Sequence, residues 1–136
     1  MAVAVRSLSD VGDEVTMTQY RTLVILASRG PQRLSDLAQA VGVTPATASR
    51  MCDRLVRKRL ILRRTRRDDR RNVRISLSAA GRAIVDAVTL TRRREISRIV
   101  TGISPDDQET FVRVLRSFAA AAGEVPEGDW PTGWEI

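Results

Sequence analysis

The sequence contains no histidine, one cysteine (Cys52) and one lysine (Lys58) in its 136 residues. Each shortage excludes something. With no His and a single Cys, the common zinc sites, the Ser-His-Asp and Cys-His nucleophile systems and any intrachain disulfide framework are ruled out. No catalytic residue, metal site or cofactor is expected. No apolar run reaches the length needed to span a bilayer. Met1–Val5, cut off by Arg6, is too short for the apolar core of a signal peptide. The expectation is a cytoplasmic protein with no membrane partner. Repeats and low-complexity tracts are missing too, and the length suits one domain with a modest core.

What the chain has in excess is arginine. Lys+Arg number 23 against 16 Asp+Glu, a net charge of +7, and all but one of those cations are arginines. Arginine is the planar, bidentate cation suited to phosphates and guanine edges. The charge is concentrated. Between Arg50 and Arg74, 11 arginines and Lys58 stand against Asp53, Asp68 and Asp69, a local net of +9, while the rest of the chain nets −2. A surface built for a polyanion shows such clustering.

Periodicity orders the chain into elements. Tyr20, Leu23, Val24 and Ala27 form one stripe of a helix within 16–30, capped by Thr16 or Thr18 and ended by Gly30-Pro31. Leu34, Leu37, Ala38 and Val41 repeat the spacing, and Gly42 stops that second helix. Thr44 as cap and Pro45 as first helical residue start a third helix, with Ala48, Met51, Cys52 and Leu55 facing inward through about Lys58. Leu60–Arg66 and Val73–Leu77 predict two strands joined by the polar connection 67–72. Ser78 caps a long helix bearing Ile84, Val85, Val88, Ile96, Ile99, Val100 and Ile103. Ser104-Pro105 starts a last one bearing Phe111, Leu115, Phe118 and Ala122. Beyond Gly123 no period remains, and an irregular tail is expected. The fold class is mainly α with a small β-hairpin (α+β), ordered as a winged helix-turn-helix.

In such a plan the third helix must bury one face and offer the other to the major groove. Ala46, Ser49, Arg50, Asp53, Arg54 and Arg57 face out. Pro45, Ala46, Ser49 and Arg50, at the helix N-terminus, are the candidates for base contact, with Arg50 placed for a guanine, and the cap Thr44 joins them as a DNA-binding residue. Arg54 and Arg57 are placed for phosphates, which fix register without reading sequence. On the hairpin, Arg66, Arg67, Arg70 and Arg71 crowd one tip, where mutual repulsion favours a nearby polyanion. An arginine inserted in the minor groove would exploit its negative potential.

These residues carry a resemblance. The run 34–58, followed by L-I-L-R-R (60–64), D-D-R-R (68–71) and V-R-I-S-L-S-A-A-G (73–81), resembles the MarR family of transcriptional regulators, with the likeness spanning roughly 16–122. The resemblance implies homodimers on pseudo-palindromic double-stranded DNA operators, released by small aromatic, phenolic or lipophilic effectors. It makes Asp69 the structural aspartate of the wing and Arg71 the arginine that enters the minor groove. It divides the chain into 1–15, a short arm or partial dimerisation helix; 16–78, the DNA-binding domain; 79–122, a helical dimerisation region; and 123–136, the tail. The implied role is a transcriptional regulator, most simply a repressor, found in the bacterial cytoplasm and on the nucleoid when bound. Two departures stand out: few residues precede Thr16, with Gly12 among them, and Arg59 stands where the family has a helix-ending glycine.

A second reading is a winged interaction module, or anti-regulator, that binds an acidic partner or titrates a homologue. Enzymatic activity is the weakest reading, since Asp68-Asp69 fall on a hairpin tip that cannot exclude water. The helical phase of Cys52 assigns it to packing rather than to oxidant sensing. Trp130 and Trp134 are expected to pack the tail on the body rather than to line a ligand cleft.

Overall fold

The computed structural model describes residues 15–66 and 69–131, with the side chains of 65–72 outside the described set. Helix α1 (Met17–Arg29) starts at a capping box. The Thr16 hydroxyl accepts from the Gln19 N–H, and the Gln19 side chain accepts from the Thr16 N–H at 3.1 Å, so two of the N–H groups left over at a helix start are satisfied. A two-residue strand β1 (Gln32–Arg33) follows, then helix α2 (Leu34–Val41) and helix α3 (Pro45–Arg57). Gly42 takes the left-handed conformation (φ 80°) that lets the chain reverse between them. Strands β2 (Ile61–Arg66) and β3 (Asp69–Leu77) form the wing. Helix α4 (Ala79–Val100) and helix α5 (Pro105–Ala121) complete the order, with a single 3₁₀ turn at Glu127–Asp129.

Three features differ from the sequence expectation. The sheet has three strands in the order β1-β3-β2, because Gln32 and Arg33 pair with Ile75 and Arg74. Two residues cannot display a period, so β1 left no pattern to read. The second wing strand begins at Asp69 rather than Val73, so most of the expected polar connection is strand. Its register slips between Thr65 and Arg66, where Arg66 pairs with Asp69. Such an irregularity bends and twists a ribbon near its tip. The tail, expected to be irregular, holds a 3₁₀ turn at Glu127–Asp129, while its packing on the body is as expected for Trp130. Trp130 packs against the core, its indole N–H donates to the Val125 carbonyl at 3.0 Å, and Arg82 donates to the Pro131 carbonyl at 2.8 Å. Trp134 lies outside the described residues, as do residues 1–14, the expected arm.

The core lies where α1, α2, α3 and the start of α4 meet the sheet. Leu23, Leu26, Leu37, Leu55, Ile61, Ile75, Val85 and Val88 are fully buried there, each contributing roughly 1.5–3 kcal/mol of transfer free energy. Buried Thr22 donates to the Thr18 carbonyl at 2.9 Å and sits 3.4 Å from the Met51 sulfur, against the inner face of α3. Helix α5 is different: none of its residues is buried. Among the described residues, no helix is long and apolar enough to cross a membrane.

Candidate nucleic-acid interface

Helix α3 is built as a two-faced element. Its start is fixed by the Thr44 hydroxyl, which accepts from the Thr47 N–H at 3.2 Å, and by Pro45 in the first turn. Its end is a left-handed reversal at a non-glycine residue, Arg59, with φ 58°. The Arg59 N–H reaches the Val56 carbonyl and the Leu60 N–H reaches the Leu55 carbonyl, each at 2.9 Å. That bond pair, with buried Leu55 and Leu60, closes the helix as a Schellman motif. Ala48, Met51, Cys52 and Leu55 are buried on the inner face, as their spacing predicts.

The outer face carries the expected residues. Thr44, Pro45, Ala46, Arg50, Arg54 and Arg57 are exposed and Ser49 is half-buried. The Thr44 hydroxyl is committed to the cap and also lies 3.0 Å from the Thr47 hydroxyl. On the wing, Arg67 lies outside the described residues, and so do the side chains of Arg66, Asp69, Arg70 and Arg71. Their backbone, except at Arg67, runs in the two paired strands.

Sequence reasoning missed one member of this surface. The Arg63 guanidinium of β2 meets the Asp53 carboxylate of α3 at 2.8 Å. Strand alternation carries the signal in retrospect, since Arg63 is two residues beyond buried Ile61 and shares its face. Nearby Cys52 is fully buried, and burial pushes its thiol up to about 11 from 9.0, although Arg63 pulls the other way. A neutral, enclosed thiol is a packing residue, as its helical phase predicts.

The junction behind the interface is tight. The Ser78 hydroxyl donates to the Arg59 carbonyl at 2.7 Å and accepts from the Gly81 N–H at 3.0 Å, while the Ser78 N–H donates to the Leu60 carbonyl at 3.1 Å. A Cβ on Gly81 would collide with the Leu60 carbonyl oxygen and come within 2.8 Å of Leu77 Cδ1. The S-x-x-G spacing therefore has a physical reason. Serine caps α4 and ties it to the end of α3, and glycine admits the close approach.

Away from this surface, α1, α2 and the tail line an open pocket of about 230 Å³, with Arg21, Val24, Ser28, Arg29, Ala40 and Val125 in its walls. Among the described residues no group of three or more His, Cys, Asp and Glu side chains is arranged to hold a metal ion.

The model of the MarR family matches residues 15–73. The crystal structure of RV1404 from Mycobacterium tuberculosis is 41% identical, with a TM-score of 0.85 over 92% of this chain and 85% of that one. The HTH-type transcriptional repressor MdtR of Bacillus subtilis is 28% identical over 108 residues, 79% of this chain and 70% of MdtR. The uncharacterized HTH-type transcriptional regulator YkoM of Bacillus subtilis is 26% identical over 99 residues, 73% of this chain. The chain spans less than two thirds of YkoM, 64% of its length.

Proposed function

The chain belongs to the MarR family, and from that premise we propose that it is a transcriptional repressor that reads a pseudo-palindromic DNA operator as a homodimer. The observation that carries this is the outer face of α3, where Arg50, Arg54 and Arg57 stand exposed on a helix whose opposite face is locked into the core. Arg50, one turn from the N-terminus, is the base reader, and small Ala46 and Ser49 let the helix backbone approach the groove. Arg54 and Arg57 neutralise phosphates. Arg66, Arg67, Arg70 and Arg71 supply the minor-groove contact of the wing, and Asp69 stiffens it.

The dimer has its own support. Helix α5 exposes Phe111, Val112, Val114, Leu115 and Phe118, and the outer half of α4 adds Ile96 and Ile99. Phe118 is 71% exposed in the single chain. A stripe of that size on one pair of helices suits an isologous interface. Repression follows from occupancy, since a dimer seated on promoter DNA blocks other proteins from it. Small aromatic or lipophilic molecules that favour one spacing of the two reading helices would then act as effectors. No catalytic step is assigned to the chain, and its place is the cytoplasm.

The experiment is a binding comparison on an operator selected from random duplexes and on unselected duplex. Arg50→Ala should lower affinity for the operator about 10-fold or more, the equivalent of one lost bidentate base contact, while leaving unselected DNA nearly unchanged. Arg57→Ala should weaken both alike. Equal losses on both duplexes for Arg50→Ala would remove its assignment as the base reader.

A further inference from the structure

A carboxylate on a helix face that meets DNA is repelled by phosphate. Asp53 stands on that face of α3, three residues after Arg50 and four before Arg57. Both arginines are within its reach by helical spacing. The 2.8 Å contact that Asp53 makes is nevertheless to Arg63, from the first strand of the wing.

We infer that Asp53 is a specificity-determining positioning residue, whose pairing with Arg63 ties the wing to the reading helix and keeps the Arg63 guanidinium off the DNA phosphates. The inference rests on the DNA-binding reading above and adds a device to it. Arg63 lies between buried Ile61 and the register slip after Thr65, so a tie at this point fixes the direction in which the ribbon leaves the core. The same pair is electrically neutral. It removes one cation and one anion from the surface that DNA meets, and the phosphates lose a contact that would serve every sequence equally well. A freed arginine would raise affinity for all DNA alike and a freed aspartate would lower it alike, while the loss of the tie would let the wing leave the orientation that an operator selects, which lowers the operator-to-unselected ratio. Both side chains are partly exposed, so separating them leaves the fold standing.

The test is the salt dependence of binding of the full chain, on its selected operator and on unselected duplex. Each phosphate neutralised contributes a slope of about 0.9 in log affinity against log salt. Asp53→Ala and the isosteric Asp53→Asn should each steepen the slope by about one unit on both duplexes, raise affinity for unselected DNA, and reduce the operator-to-unselected ratio about threefold or more. Arg63→Ala should reduce the ratio, and any loss of slope caused by its freed aspartate should be recovered in the double variant, which should have the parent slope. A parent slope in both Asp53 variants, or a slope shallower than the parent's by about one unit in the double variant, overturns the inference. The second result would make Arg63 itself a phosphate contact. If the parent chain selects no operator at all, the DNA-reading assignment falls and this inference with it. If the parent selects one and the variants behave as the parent does, the inference alone falls. Melting curves of the variants within a few degrees of the parent show that each is folded.

Discussion

At Gly81 a missing side chain is the contact. Alanine there would gain up to about 1 kcal/mol of helix propensity, but its Cβ meets the backbone carbonyl of Leu60, which cannot rotate away. Overpacking of this kind costs roughly 1–3 kcal/mol, so Gly81→Ala should lower the melting temperature by several degrees, read by circular dichroism. Arg59 is the opposite case. Its φ of 58° strains any residue with a Cβ, by about 1 kcal/mol. Arg59→Gly should therefore stabilise the chain by up to about 0.6 kcal/mol in urea unfolding, once the extra freedom of glycine in the unfolded chain is subtracted. Cys52 gives a pH signature. Its thiol is raised from 9.0 to about 11 by burial, so folding favours the protonated form. That contribution is whole below pH 9 and is lost as pH rises towards about 11, up to about 2–3 kcal/mol for a shift of this size. Cys52→Ala would lose packing at all pH values but should flatten that alkaline decline.

Ser78 shows how elements are joined. Its hydroxyl caps α4 and holds the carbonyl of Arg59, so Ser78→Ala removes a helix cap and a link to α3 together. The expected loss is about 1–2 kcal/mol, seen as a lower urea midpoint with unchanged slope. Ser78 also marks what the sequence makes legible. Thr16, Thr44, Ser78 and Ser104 all cap the helices they precede, because a cap is a local pairing of one hydroxyl with an N–H three residues on. The inner face of α3 is equally readable, since burial follows a fixed period. Strand β1 is not, because its pairing with β3 is decided by residues more than forty positions away. Asp53 illustrates the same limit within the site. Its outward phase follows from the helix alone, but its partner Arg63 depends on how strand and helix cross. Trp130 is intermediate: composition argues for packing, and only the fold shows where the tail returns.

On the scale of the whole molecule, apolar surface is divided between a closed core and an open pair of helices. If α5 completes a dimer, Leu115→Asp and Phe118→Asp place charges in its interface. Both should shift the chain from dimer to monomer in sedimentation and abolish operator binding, with little change in helix content. A monodisperse dimer in both variants would place the interface elsewhere. The close approach of Leu60 and Gly81 lies where three elements meet. It is a fulcrum, since the end of α3, the root of the wing and the first turn of α4 all bear on the backbone of one residue. Helix α4 has 22 residues and is about 33 Å long. Tilting it by about 5° at that fulcrum swings its far end by about 3 Å, close to the ~3.4 Å rise of one base pair. Were the far end of α4 held against a second copy, the same tilt would instead move α3 and the wing through that distance, with neither helix distorted.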